Sequence, residues 1–155
     1  MSTHEIELTV NGERHHVAVS DDVPLAYVLR NQLGLKSVKL GCGLEQCGAC
    51  KVLVDGVATY SCVAGVGAFA GKRIETVEGF ATDTGLHPVQ RALADANAAQ
   101  CGYCLSGIMV AAKALFDRTA TPSRDEIRAA LDDQLCRCGA QPRVLRALGK
   151  LAGHD

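Results

Sequence analysis

Eight cysteines fall into two quartets whose spacings differ. Cys42, Cys47, Cys50 and Cys62 read C-x4-C-x2-C-x11-C, while Cys101, Cys104, Cys136 and Cys138 read C-x2-C-x31-C-x-C. The first is the spacing of plant-type [2Fe-2S] centres, in which one tight loop presents three thiolates and a later strand end supplies the fourth. Two quartets imply two metal centres, and two one-electron centres in one chain imply a relay. A disulfide scaffold is one alternative, but such chains are usually shorter and poorer in core residues. Structural zinc is the other, because CxxC with a distant CxC makes a plausible tetrahedral thiolate site. Residues 41–50 argue against it for the first quartet, since they wrap three ligands around one point instead of pairing two short knuckles.

The 155 residues suffice for one ordinary domain or two small ones, and 48% of them are apolar, mostly Ala, Val and Leu. No apolar run approaches membrane-span length, so no direct membrane insertion is expected. Residues 1–10 contain Glu5 and Glu7 and no apolar h-region, which points to a cytoplasmic protein, with any membrane association made through a partner. The formal charge of -1 leaves no basic patch for nucleic acid. Two oxidised clusters with their thiolates would take that charge to about -5. Backbone N–H groups and nearby cations must offset it. Gly41, Gly43, Gly48, Gly102 and Gly139 each lie beside a cysteine or one residue from it, where they let the backbone approach sulfur.

The first half reads as strands. Ile6, Leu8 and Val10 alternate with polar residues, Asn11-Gly12 signals a hairpin, and residues 13–20 return with Val17 and Val19 inward. Asp21 or Asp22 is expected to cap a helix over 25–33 that Gly34 stops. After the cysteine loop come strands over 51–54 and 57–61, joined at Asp55-Gly56, and a last one over 73–77. Beyond Glu78 hairpin signals vanish; residues 79–85 read as a linker, followed by helices over 88–98, 105–117, 124–132 and 142–152. Ser123 and Glu126 form a capping box for the third. The expected fold is therefore α+β, with a sheet domain over 1–78 and an all-α four-helix domain over 79–155.

The residues 41–50, Val52-Leu53-Val54-Asp55-Gly56, His87-Pro88-Val89-Gln90, Gln100-Cys101-Gly102-Tyr103-Cys104 and Cys136-Arg137-Cys138-Gly139 together resemble the small iron–sulfur subunit of the molybdenum hydroxylases, the xanthine dehydrogenase and aldehyde oxidoreductase family. The resemblance implies a β-grasp ferredoxin-like domain followed by a helical domain, each with one [2Fe-2S] cluster. It further implies two kinds of partner: a large molybdopterin subunit, and an acceptor that is either an FAD-binding medium subunit or a cytochrome c subunit. Gln100 and Cys138 are placed by it at the pterin interface; capping of a helix end is the plainer role for Gln100. Arg137 would compensate cluster charge or make a structural salt bridge. Glu45 stands where Gly is commoner, so strain and a potential-lowering charge are expected there. Lys51 replaces a common Thr; it would offset the Glu45 charge or, as is expected, be a solvated surface lysine. Neither a catalytic set nor a phosphate loop is visible, so the isolated chain is expected to catalyse nothing; the histidines His15 and His16 are adjacent and, on a strand, face opposite ways.

Overall fold

The computed structural model describes residues 2–154. Strand β1 (His4–Val10) turns into β2 (Glu13–Val19) through Asn11 and Gly12, whose φ angles of 52° and 84° are those a two-residue I′ hairpin requires. Ile6, Leu8, Val10, Val17 and Val19 are all buried on one face, as their alternation dictates. Asn11 also fastens the turn to the neighbouring 74–76 segment. Its Oδ1 accepts from the Thr76 N–H at 2.8 Å and its backbone N–H donates to the Ile74 carbonyl at 2.8 Å.

Helix α1 (Leu25–Tyr27) continues as a π-turn over Val28–Gln32, with the Leu33 N–H on the Val28 carbonyl at 3.2 Å. The expected aspartate cap is not what starts it. Pro24 occupies the capping position, and the first free N–H groups, of Leu25 and Ala26, donate to the carbonyls of Ala64 and Ser61. A tertiary strand of backbone thus satisfies donors that a side chain would satisfy in an isolated helix. Strands β3 (Val52–Val54) and β4 (Val57–Thr59) form the second hairpin, and β5 (Arg73–Glu75) completes the sheet. The order is β2-β1-β5-β3-β4, antiparallel except for the β1–β5 pair.

Within residues 79–85, read from the sequence as a linker, the chain makes fixed contacts. Phe80 is buried among Leu53, Val110 and Ala114, and Thr82 pairs with Gly85. Helices α2 (Pro88–Asp95), α3 (Leu105–Arg118), α4 (Arg124–Leu131) and α5 (Gln141–Leu151) then build a second core around Val89, Ile108, Ile127, Val144 and Leu148. Ser123 and Glu126 close the expected box on α4, with bonds of 3.2 and 2.7 Å.

A second capping box, unexpected from the sequence, opens α2. His87 Nδ1 accepts the Val89 N–H at 3.2 Å, and Gln90 Oε1 accepts the His87 N–H at 3.0 Å. Only an unprotonated Nδ1 can accept, and burial, helped by the nearby Lys113, holds the His87 pKa below its ordinary value while Asp117 opposes them. A folded pKa below the unfolded one stabilises the fold above about pH 6.5 and loses that contribution as pH falls through the folded value. Thermal unfolding across pH should therefore show a destabilisation of about 1 kcal/mol on acidification that His87→Asn, which keeps an acceptor but cannot titrate, lacks.

Candidate metal centres

The first quartet is assembled around the 61–64 segment that starts α1. Ser61 Oγ, fully buried, donates to the Cys50 carbonyl at 2.6 Å, so the chain reaching Cys62 is tied to the chain leaving the cysteine loop. Cys47, Cys50 and Cys62 are buried and Cys42 is half-buried. Backbone donors point at sulfur. The Leu44 and Gln46 N–H groups each lie 3.3 Å from Cys42 Sγ, and the Cys42 N–H lies 3.4 Å from Cys47 Sγ. The Gln46 N–H first, and then that of Leu44, bring the Cys42 thiol down to about 7. Gly41 has no Cβ for a reason of space, since one would stand 2.7 Å from Cys47 Sγ.

The second quartet lines one small cavity, with Gln100 and Ala140 also on its wall. Cys101 Sγ and Cys138 Sγ are 3.5 Å apart, and the Ala140 N–H lies 3.4 Å from Cys136 Sγ. Cys101 is lowered by the Tyr103 N–H and then by Cys138. In Cys136, burial opposes a lowering that the Ala140 N–H carries.

Within each quartet the sulfurs meet as pairs: Cys42 with Cys47, Cys50 with Cys62, Cys101 with Cys138, and Cys104 with Cys136. Among the described residues, no three of them converge as ligands of a single ion. Two thiolates on each of two irons is what a [2Fe-2S] core takes, so the donor sets fit that group. One partner of a pair is held up in each domain, Cys50 to about 11 and Cys104 to about 12, chiefly by burial. Loading iron there must expel protons, because the thiolate is the ligand.

The two sites abut. The Leu135 N–H donates to the Cys47 carbonyl at 3.0 Å, one residue before Cys136. Tyr103 OH, between Cys101 and Cys104, donates to the Leu40 carbonyl at 2.7 Å. Gly48 sits under the Gln134 side chain, where its own Cβ would meet it at 2.3 Å. Lys51 is not the solvated residue expected. It is 8% exposed and pairs with Asp133 at 2.6 Å, because the helical half covers it and brings a carboxylate. Asp133 also takes a bond from Tyr60 OH. Asp133, Gln134 and Leu135 carry no sequence signal, since their role exists only where the two halves touch.

Gln100 Nε2 donates to the Cys138 carbonyl at 2.7 Å, so the two residues are joined and both are exposed. Arg137 is exposed and makes no ion pair among the described residues. Gly43, Gly48, Gly102 and Gly139 all take left-handed φ angles. Glu45 does too, at 56°, with its side chain in solvent. Left-handed backbone costs a side-chain-bearing residue about 1–2 kcal/mol. Glu45→Gly should accordingly stabilise the cluster-loaded chain by up to about 1 kcal/mol after the entropy of the glycine is counted, read as a higher melting temperature. The potential of the first cluster should move little, because an exposed carboxylate is screened.

Fold and site define a two-domain iron–sulfur protein. Residues 8–67 match the 2Fe-2S iron-sulfur cluster binding domain and residues 76–149 the [2Fe-2S] binding domain. The chain is 48% identical to a nicotinate dehydrogenase subunit of Pseudomonas putida over 95% of its own length and 94% of the relative's. It superposes on the crystal structure of quinoline 2-oxidoreductase from Pseudomonas putida 86 with a TM-score of 0.92 and 32% identity, covering 99% of this chain and 96% of that one. Aldehyde oxidoreductase from Desulfovibrio desulfuricans matches with a TM-score of 0.90 and 39% identity, over 99% of this chain but 17% of that longer one. The chain belongs to the iron–sulfur subunits of the molybdenum hydroxylase family.

Proposed function

We propose that this chain is the electron-transfer subunit of a molybdenum hydroxylase. It relays electrons from a molybdopterin subunit through two [2Fe-2S] clusters to an FAD-binding or cytochrome c subunit, and it works in the cytoplasm. The observation that carries the reading is the arrangement of two pairwise cysteine quartets joined by hydrogen bonds, Leu135 to Cys47 among them. A [2Fe-2S] cluster takes up and releases a single electron. The residues of this chain do the rest. Cys42, Cys47, Cys50 and Cys62 hold one cluster in a unit spanning 1–78; Cys101, Cys104, Cys136 and Cys138 hold the other in a helical unit spanning 79–155. Backbone donors at Leu44, Gln46 and Ala140 offset thiolate charge. Gln100 and Cys138, exposed together on the helical side, are the residues assigned to the pterin contact, and Arg137 beside them is a cation, unpaired among the described residues, to balance the second cluster.

The substrate class is an N-heteroaromatic compound or an aldehyde, supported by relatives named for nicotinate, quinoline and aldehydes. Hydroxylation itself belongs to the partner, and the isolated chain should turn over none of these. Iron and sulfide assay, with electron paramagnetic resonance of the reduced chain, tests the core of the reading: two distinct signals are expected. A single signal accompanied by bound zinc would overturn it. In the complex, Cys104→Ser should leave the first cluster oxidised when substrate is mixed in, while Cys50→Ser should still let the second be reduced. Normal reduction of the first cluster in Cys104→Ser would reverse the proposed order.

A further inference from the structure

A buried lysine is expensive to desolvate, and an apolar pair fills the same space as well or better, so a charged pair kept at a domain junction calls for a use of its charge. Lys51 directly follows Cys50, and its backbone N–H is fixed to the Gly48 carbonyl at 3.1 Å. Its ammonium lies 4.9 Å from the ring centre of Tyr60, two residues before Cys62. The cation is thus bracketed by the chain around Cys50 and Cys62, which form one sulfur pair of the first quartet. The anion comes from the other side. Asp133, three residues before Cys136, belongs to the helical half and is steadied by Gln134 Nε2 at 3.1 Å and by Tyr60 OH.

We propose that Lys51 and Asp133 form an oriented charge pair that sets where an electron rests. Its positive end lies in the first iron–sulfur domain and its negative end in the second, so it raises the first cluster's potential relative to the second's. Both are positioning residues, acting on the clusters through their field. The proposal rests on the two-cluster reading above, and it gives the relay a direction, from the helical side toward the sheet side. A unit charge about 10 Å from a one-electron centre, at an effective dielectric of about 20, changes an equilibrium on the order of tenfold.

The test uses the full chain loaded with both clusters and a redox titration followed by paramagnetic resonance. Two signals in the wild type establish the underlying reading, and their absence would remove that reading before the charge pair is judged. With both present, Lys51→Met should lower the first cluster's potential, Asp133→Asn should raise it, and the double variant should return near wild type. Lys51→Arg should hold the wild-type value; Lys51→Met should shift the first cluster more than the second and Asp133→Asn the second at least as much as the first, each by roughly tenfold in electron distribution. A merely structural junction would shift both single variants in the same direction, or neither, and either result overturns the proposal. Should Lys51→Met fail to hold the first cluster, Asp133→Asn decides alone: an upward shift supports the pair, and no shift or a downward one refutes it.

Discussion

Cys47→Ser should abolish the paramagnetic signal of the first cluster and remove about half of the bound iron, since each cluster carries two of the irons. Cys47 is buried, its sulfur receives the Cys42 N–H, and Gly41 leaves space for it, so the surroundings fit sulfur. The sheet domain should lose stability as well, because metal binding and folding are coupled where the ligands close a loop. The second signal should survive, since all four of its cysteines lie between 101 and 138. The Cys47 carbonyl nonetheless holds the Leu135 N–H, so a change in that signal's line shape is the expected trace of the damaged junction. Loss of both signals together would show that the two domains do not hold their clusters independently.

Gly107→Ala should destabilise the junction by about 1–3 kcal/mol, the usual cost of overpacking a filled interior. A Cβ there would stand 2.2 Å from the Gly48 carbonyl oxygen and 2.8 Å from Gln134 Oε1. The first of these is backbone in the first cysteine loop and cannot swing aside. Helix α3 must then move off the loop, and electron exchange between the clusters should slow with it. Gly34→Ala is the control: its φ is +71° but nothing lies within 4 Å of the added carbon, so only the conformational penalty of about 1 kcal/mol applies. Chemical unfolding of the loaded chains separates the two, and equal losses would mean that the α3 contact carries no packing energy.

Local chemistry explains how much was legible beforehand. The hairpins at Asn11-Gly12 and Asp55-Gly56 were readable because both central positions of an I′ turn need positive φ, which those residues supply. The capping box at Ser123 was readable for a similar reason, as donor and acceptor lie three residues apart. The box at His87 escaped because a neutral imidazole is an uncommon cap, although Pro88 and Gln90 at the first and third helical positions were the signal that marked it. The aspartate cap of α1 failed because its donors found backbone from residues 61 and 64, a contact that no local pattern encodes.

The same division holds for the candidate site. Cysteine spacing alone determined that eight thiols form two groups of four, and glycines beside them marked where backbone would come close to sulfur. Alternation of apolar residues determined the sheet half, and helical caps much of the other. Only the tertiary structure decided which sulfurs meet in pairs, that Lys51 is buried and not solvated, and that Asp133 answers it across the junction. The physical reason is range. Turn geometry, capping and ligand spacing act over a few residues and are written in neighbouring letters, whereas burial and charge pairing depend on which distant surfaces exclude water from each other.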